Sequence, residues 1–172
     1  VGRKPTTLDF AEAAALPLTT LTAWELLFQR MPFQLDGRRN TGKTLLVIGG
    51  AGGVGSMAIQ LGRHAGFTVV ATASRPQSVQ WCEQMGATHV IDHRQPLAAQ
   101  LQTLGISSVD AALNLANTDL YWQQLGELLA PQGHVGLIVE PAGELRIGDP
   151  YKAKCIGIHW EFMFARARFR TA

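Results

Sequence analysis

The sequence predicts an α/β fold with a doubly wound, six-stranded parallel sheet in the order 3-2-1-4-5-6, preceded by N-terminal helices. Two observations predict it. From Leu45 onward, short apolar runs alternate with segments of helical periodicity, a pattern typical of parallel strands joined by right-handed crossovers. A glycine-rich turn follows the first apolar run and opens a helix, as expected at the central strand of such a sheet.

The elements follow from caps, breakers and apolar spacing. Asp9 and Glu12 have capping-box spacing and start a short helix that Pro17 ends, and a second helix runs from about Thr20. Pro131-Gln132-Gly133 is interpreted as a turn before the fifth strand. Strands are predicted at residues 45–48, 68–72, 89–91, 109–114, 134–139 and 155–162. Helices are predicted between them at residues 54–64, 77–85, 96–104 and 119–129.

Composition limits the classes of function. The 172 residues suit one domain, and a charged fraction of 16% suggests surface that a second domain or subunit covers. A net charge of +2 with no basic run argues against nucleic acid as a partner. We find no apolar run of membrane-spanning length and no signal peptide, so no membrane partner is expected. Cys82 and Cys155 form no disulfide framework, and a cytoplasmic location is the expectation.

Two phosphate-binding patterns compete in the sequence. Residues 37–44 (GRRNTGKT) satisfy the P-loop pattern, but the apolar run follows the Lys-Thr pair instead of preceding the glycines, so we interpret the match as accidental. The second pattern, G-x-G-x-x-G, follows a strand and opens a helix, as in Rossmann domains that bind a dinucleotide pyrophosphate. A tight turn without a ligand is the alternative. The predicted pyrophosphate-binding residues are Gly50, Ala51, Gly52, Gly53, Val54 and Gly55.

Within that pattern each glycine is assigned a role. Gly50 is expected to permit the tight turn, Gly52 to let the backbone approach the pyrophosphate, and Gly55 to let the helix pack closely on the strand. None of the three roles is catalytic, so the pattern predicts a cofactor site without predicting a reaction.

The end of the second strand predicts which dinucleotide binds. An Asp or Glu there would bind the ribose 2′-hydroxyl of NAD, and this sequence has no carboxylate between Ala71 and Pro76. Ser74 and Arg75 suit a 2′-phosphate, and His93 and Arg94 are expected to add positive charge nearby. The alternatives are a solvated surface arginine and an ordinary surface histidine. NADP(H) is therefore the predicted cofactor, and the missing acidic residue also argues against an S-adenosylmethionine-dependent methyltransferase.

No catalytic residue is predicted. His89 and His93 have H-x-x-x-H spacing but lie on a strand and its exit, so no metal site is expected. Tyr121 and Tyr151 lack the lysine four positions on that short-chain reductases carry. No G-x-S-x-G nucleophile elbow occurs.

Several segments resemble the medium-chain dehydrogenase/reductase superfamily, in its zinc-type alcohol dehydrogenase-like and quinone oxidoreductase branch. They are residues 13–17 (AAALP), 21–25 (LTAWE), 50–55 (GAGGVG), 71–75 (ATASR), 85–92 (MGATHVID), 117–119 (NTD) and 159–164 (HWEFMF). The resemblance implies a cofactor domain, residues 37–164, after a helical lead-in, residues 1–36. Residues 165–172 are expected to begin the return to a GroES-like catalytic domain for which this chain has no room.

The resemblance also implies roles for single residues. Thr22 matches a position near the nicotinamide, although it equally fits a buried helix threonine. Asn114 and Ile138, at the ends of the fourth and fifth strands, are expected to line the cofactor crevice, and Asn114 equally fits a strand-ending turn. Strand 155–162 is expected to pair across a homodimer axis, or to be an edge that another domain covers.

Two functional hypotheses follow. The first is the cofactor domain of an oxidoreductase that transfers hydride between NADPH and a small-molecule carbonyl, enone or quinone; zinc is not expected in this chain. The second is a non-catalytic module that senses NADPH by binding it.

Overall fold

The computed structural model describes residues 3–171 and confirms the predicted fold. Six parallel strands form one sheet in the order β3-β2-β1-β4-β5-β6. The strands are β1 Thr44–Ile48, β2 Thr68–Thr72, β3 His89–Ile91, β4 Val109–Asn114, β5 Leu129–Leu137 and β6 Gly157–Trp160. The helices are α1 Phe10–Ala14, α2 Leu16–Glu25, α3 Gly53–His64, α4 Pro76–Gln84, α5 Leu97–Thr103, α6 Thr118–Leu128 and α7 Ala165–Phe169.

The lead-in helices differ from the sequence prediction at Pro17. The capping box at Asp9 and Glu12 is confirmed, but α1 ends at Ala14 and Pro17 lies in the first turn of α2. Proline suits that position because the first helical N–H groups have no intrahelical acceptor. One turn of π-helix, Leu26–Arg30, then continues α2.

The sheet is buried on both faces, as a doubly wound fold requires. In β1, Leu45 and Val47 join one apolar cluster with α2, α3 and α4, whereas Leu46 and Ile48 join a second cluster with α5 and α6. All four side chains are at most 1% exposed. The central strand therefore has no polar side, and its ligand-binding capacity is confined to its carboxyl end.

The prediction of a turn at Pro131-Gln132-Gly133 is wrong. These residues lie inside β5, where the pairing with β4 jumps from Val109–Leu129 to Ala111–His134. The extra residues form an irregularity in the strand, and Gln132 adopts a positive φ of 62° there. The strand pairs with β4 on both sides of this irregularity.

A pair of histidines joins the outer strands. His134 Nδ1 lies 3.0 Å from His159 Nε2, and both rings are half-buried. Burial lowers the pKa of both histidines, and for His134 the neighbouring His159 and Lys43 lower the pKa further. The neutral pair is therefore the form that the folded protein favours.

We expect the free energy of unfolding to fall as the pH falls below about 6.5, the ordinary histidine pKa in an unfolded chain. The sign follows because histidines with a lowered native pKa bind protons more readily in the unfolded state. Urea unfolding between pH 8 and pH 5 measures it. His159→Gln should flatten the pH dependence, and His64→Gln, at an exposed position, should leave it unchanged. Equal slopes in all three proteins would contradict the assignment.

Candidate cofactor-binding site

A cleft of about 520 Å³ opens at the carboxyl edge of the sheet, where the turn after β1 meets the ends of β2 and β3. We call it the edge cleft. Its lining residues are Ile48, Gly49, Ala51, Gly52, Thr72, Ala73, Ser74, Arg75, Ser78, His93, Ala116 and Tyr121. The strand order reverses between β1 and β4, because β2 and β3 lie on one side of β1 and β4 to β6 lie on the other. The cleft lies at this point, which is the usual ligand position in doubly wound sheets.

The glycine turn has a different internal arrangement from the predicted one. The positive φ of the tight turn, 83°, is at Gly49 and not at Gly50. Gly50 is required for packing, because a Cβ there would lie 2.8 Å from the Ala71 Cβ and 3.0 Å from the Cys82 Sγ. Its N–H donates to the Thr72 carbonyl at 3.2 Å. The tight-turn role assigned to Gly50 therefore belongs to Gly49, the residue before it.

Gly55 has the predicted packing role. A Cβ at Gly55 would overlap the Gly49 carbonyl oxygen and lie 2.6 Å from the Gly50 carbonyl oxygen. Gly53 has a different reason to be glycine, since a Cβ there would lie 2.9 Å from the Thr19 side chain of α2. The lead-in helix thus packs directly on the first turn of α3.

The start of α3 fits the pyrophosphate of a dinucleotide. Gly52 caps the helix without a side-chain hydrogen bond, and the first helical bond runs from Ser56 N–H to the Gly52 carbonyl at 2.8 Å. The N–H groups of Gly53, Val54 and Gly55 therefore have no intrahelical acceptor. Backbone donors at a helix N-terminus, together with the helix dipole, stabilise an anion there.

Positive and polar side chains gather at the other end of the edge cleft. Ser74, Arg75 and His93 all line it, and Arg75 is the residue that precedes the first turn of α4. Arg94 does not add free positive charge, contrary to expectation, because its guanidinium binds the Asp92 carboxylate in two places, at 2.7 and 3.0 Å. Arg75 and His93 are the groups available to an anionic ligand at this end.

Four predicted residues have side chains outside the edge cleft. Val54 packs against the apolar cluster that contains α2 and α3. Thr22 is 6% exposed and its hydroxyl donates to the Leu18 carbonyl. Asn114 is fully buried and donates to the Asn117 carbonyl, which shapes the loop after β4. Ile138 lines a separate cavity of about 540 Å³ at the ends of β5 and β6. Their contact with a cofactor stays a prediction, and that of Asn114 would be indirect.

Sequence reasoning missed Thr72 and Tyr121. The Thr72 hydroxyl accepts a hydrogen bond from the Gly49 N–H at 3.0 Å and so holds the turn against β2. Tyr121, in α6, closes the cleft on the side of β4, and burial raises the pKa of its hydroxyl. A threonine ending the neighbouring strand was a signal for the first; nothing local marks Tyr121.

A buried ionic cluster lies beside the cavity at the ends of β5 and β6. Arg30 Nε donates to Glu161 at 2.8 Å and Arg30 also pairs with Glu25 at 3.4 Å. Arg166 pairs with the other oxygen of Glu25 at 3.5 Å. Burial raises the pKa of Glu161, and the neighbouring Glu25 carboxyl raises it to a smaller extent. Both carboxylates are nearly buried, so the cluster ties the lead-in helices to the segment after β6.

Within residues 3–171, no helix is long and apolar enough to cross a membrane. In the same range no group of three or more His, Cys, Asp or Glu side chains could hold a metal ion. The donor set at the edge cleft, backbone N–H groups with an arginine and a histidine, suits phosphates instead.

The chain is similar to proteins described as alcohol dehydrogenase-like and as a reductase. It is 41% identical over 171 residues to a zinc-type alcohol dehydrogenase-like protein of Staphylococcus aureus (strain Mu50 / ATCC 700699), covering 99% of this chain and 51% of that protein. It is 45% identical over 94 residues to 2-methylene-furan-3-one reductase of Solanum lycopersicum, covering 54% of this chain and 22% of that protein. The chain thus spans about half the length of the S. aureus relative.

Solved structures agree. A protein of Rhizobium etli CFN 42, described as a candidate zinc-dependent alcohol dehydrogenase, superposes with a TM-score of 0.88 at 45% identity, over 99% of this chain and 49% of that one. Residues 53–153 match the family described as zinc-binding dehydrogenase. The chain therefore belongs to the zinc-binding dehydrogenase family, within the medium-chain dehydrogenase/reductase superfamily.

Proposed function

We propose that this chain is the NADP(H)-binding domain of an oxidoreductase that transfers hydride between NADPH and a carbonyl, enone or quinone. The observation that carries the proposal is the edge cleft, which has Gly52, the N-cap residue of α3, at one end and Arg75 with His93 at the other. A dinucleotide needs both, an anion site for its pyrophosphate and a polar site for its adenosine ribose. The nicotinamide ring supplies the hydride when the dinucleotide is bound.

The chain's own residues have binding and orienting roles in this proposal. Gly53, Val54 and Gly55 donate their N–H groups to the pyrophosphate. Ser74 and Arg75 bind the 2′-phosphate, the arginine by charge-assisted hydrogen bonds, and His93 adds a further donor. No residue is assigned as a catalytic acid or base.

The substrate class rests on the relatives. Because the tomato relative is a 2-methylene-furan-3-one reductase, an activated alkene or a carbonyl is the proposed substrate. An apolar groove of about 630 Å³ runs along α1 and α2, and its lining includes Phe10, Pro17, Leu21 and Trp24. An exposed apolar surface of this kind supports the proposal that a second domain covers this face. We also propose a cytoplasmic location.

A homodimer through β6 is part of the proposal. This strand forms one edge of the sheet, and its Ile158 and Trp160 side chains are 37% and 46% exposed. An uncovered apolar edge favours pairing with another strand. Sedimentation velocity that shows a monomer at every concentration would contradict it.

The preference for NADPH is the direct test of the cofactor. We expect calorimetric titration to give tighter binding of NADPH than of NADH, and Arg75→Ala to weaken NADPH binding by about tenfold, the size of one charge-assisted contact. NADH binding should change by less than about twofold. Arg39→Ala, an exposed arginine outside the cleft, is the matched control and should change neither. Equal affinity for the two cofactors in the unsubstituted protein would refute the proposal.

A further inference from the structure

A bidentate ion pair lies at the rim of the edge cleft, between residues that line it. Arg94 donates to both oxygens of Asp92, and its backbone N–H donates to the same carboxylate at 2.9 Å. The Arg94 guanidinium also donates to the Ser74 carbonyl at 3.2 Å. His93, between the two partners, faces the cleft. The pair therefore joins the exit of β3 to the exit of β2 at the proposed ribose end.

The backbone of Asp92 is held in place by contacts that do not involve Arg94. Gln100 accepts from the Asp92 N–H and donates to the Asp92 carbonyl, both at 2.8 Å. The hydrogen bonds from Arg94 lower the pKa of the Asp92 carboxyl to about 2, so the group is ionised at neutral pH. Loss of the Arg94 charge would leave a carboxylate on a backbone that Gln100 still holds.

We propose that Arg94 masks Asp92 and thereby makes the rim of the edge cleft acceptable to a 2′-phosphate. The inference rests on the proposed function, because it concerns the ribose end of the same cofactor site. Arg94 is a specificity-determining residue that acts through Asp92, and it contributes no free charge of its own. Doubly wound NAD-binding domains carry a carboxylate after the second strand. In this chain a carboxylate, Asp92, follows the third strand instead, and Arg94 neutralises its charge.

Without the arginine charge, the Asp92 carboxylate would favour NADH over NADPH. A carboxylate at the ribose repels a doubly charged 2′-phosphate and accepts a hydrogen bond from a 2′-hydroxyl. Removing only the arginine charge should therefore shift the protein toward NADH. Removing both charges should restore the preference for NADPH, since the repulsion disappears with the carboxylate.

The test compares Arg94→Gln, the double variant Asp92→Asn with Arg94→Gln, and the unsubstituted chain, by calorimetric titration with NADPH and NADH. Arg94→Gln should lower the NADPH-to-NADH affinity ratio by about tenfold, roughly the effect of one unit charge on a phosphate in partly solvated surroundings. The double variant should return the ratio to within about threefold of the unsubstituted value.

The chain offers a matched control in a second Asp-x-Arg pair. Arg38 donates its backbone N–H to Asp36 at 3.1 Å and pairs with it at 3.5 Å, outside the residues of the edge cleft. Arg38→Gln makes the same change in net charge and should leave the ratio within about twofold. A ratio that Arg94→Gln leaves unchanged overturns the inference. A ratio that falls but is not restored in the double variant also overturns it, because the arginine would then act by positioning Ser74.

The two proposals fail in different ways. The ratio in the unsubstituted chain reports the proposed cofactor, and the change of that ratio in Arg94→Gln reports the mask. A chain that binds both cofactors equally refutes the NADPH proposal, while a tenfold shift toward NADH in the variant still supports the masked carboxylate. Absence of binding of either cofactor overturns both.

Discussion

Replacing Gly55 with alanine is expected to destabilise the protein by about 3 kcal/mol, near the upper end for overpacking, and to abolish dinucleotide binding. The added Cβ would overlap the Gly49 carbonyl oxygen and lie 2.6 Å from the Gly50 carbonyl oxygen. Both are backbone atoms of the turn, so no side-chain rotation relieves the contact. The first turn of α3 must move away from the turn, which displaces the N–H groups that the pyrophosphate would bind.

Urea unfolding and calorimetric titration with NADPH measure the two effects. Gly148→Ala is the control, because nothing lies within 4 Å of a Cβ at that position and its φ is not positive. That substitution should change the free energy of unfolding by less than about 0.5 kcal/mol. A Gly55→Ala protein with normal stability and normal binding would show that the close contact of turn and helix is not required.

Replacing Arg30 with methionine is expected to destabilise the protein by about 3 kcal/mol, because it leaves buried carboxylates without their partner. The Glu161 side chain is fully buried and the Glu25 side chain is 4% exposed. Arg166 still pairs with Glu25, so Glu161 bears the larger loss. Methionine keeps the apolar stem of the arginine, which confines the effect to the charge.

The effect of Arg30→Met should depend on pH. Burial raises the pKa of Glu161 above its unfolded value, and loss of the arginine raises it further. A carboxyl with a raised native pKa destabilises the fold as the pH rises, so the loss should be larger at pH 8 than at pH 5. Urea unfolding at both values measures it. The exposed Arg38→Met should be neutral at both, and a loss that is independent of pH would contradict the role of Glu161.

The sequence predicted the sheet because its strands are continuous apolar runs. The helices between the strands were predictable because a glycine follows the end of several of them. Gly66, Gly86 and Gly105 end α3, α4 and α5 with positive φ, as their positions indicated. The errors arose where a residue type suits two positions. Pro17 suits the first turn of a helix as well as the end of one. Residues 131–133 are turn-forming types inside a strand whose pairing with β4 stops at Leu129 and resumes at His134.

The candidate site was predictable in its local part. The glycine turn, Ser74, Arg75 and His93 are near one another in the edge cleft because the carboxyl ends of β1, β2 and β3 are adjacent. The pairing of Arg94 with Asp92 and the position of Tyr121 depend on side-chain geometry and on the docking of α6. The Asp-x-Arg spacing also occurs at Asp36 and Arg38, outside the cleft, so the spacing alone does not locate the pair at the cofactor site. No pattern in the sequence marks Tyr121.

The most direct test of the central claim is an amide ¹H–¹⁵N spectrum of the chain titrated with NADPH. The account predicts the largest shifts at Gly52, Gly53, Val54 and Gly55, whose backbone groups form the start of α3, and further shifts at Ser74 and Arg75. Shifts concentrated in residues 37–44, the segment with the P-loop pattern, or no saturable shifts at the start of α3, would contradict it.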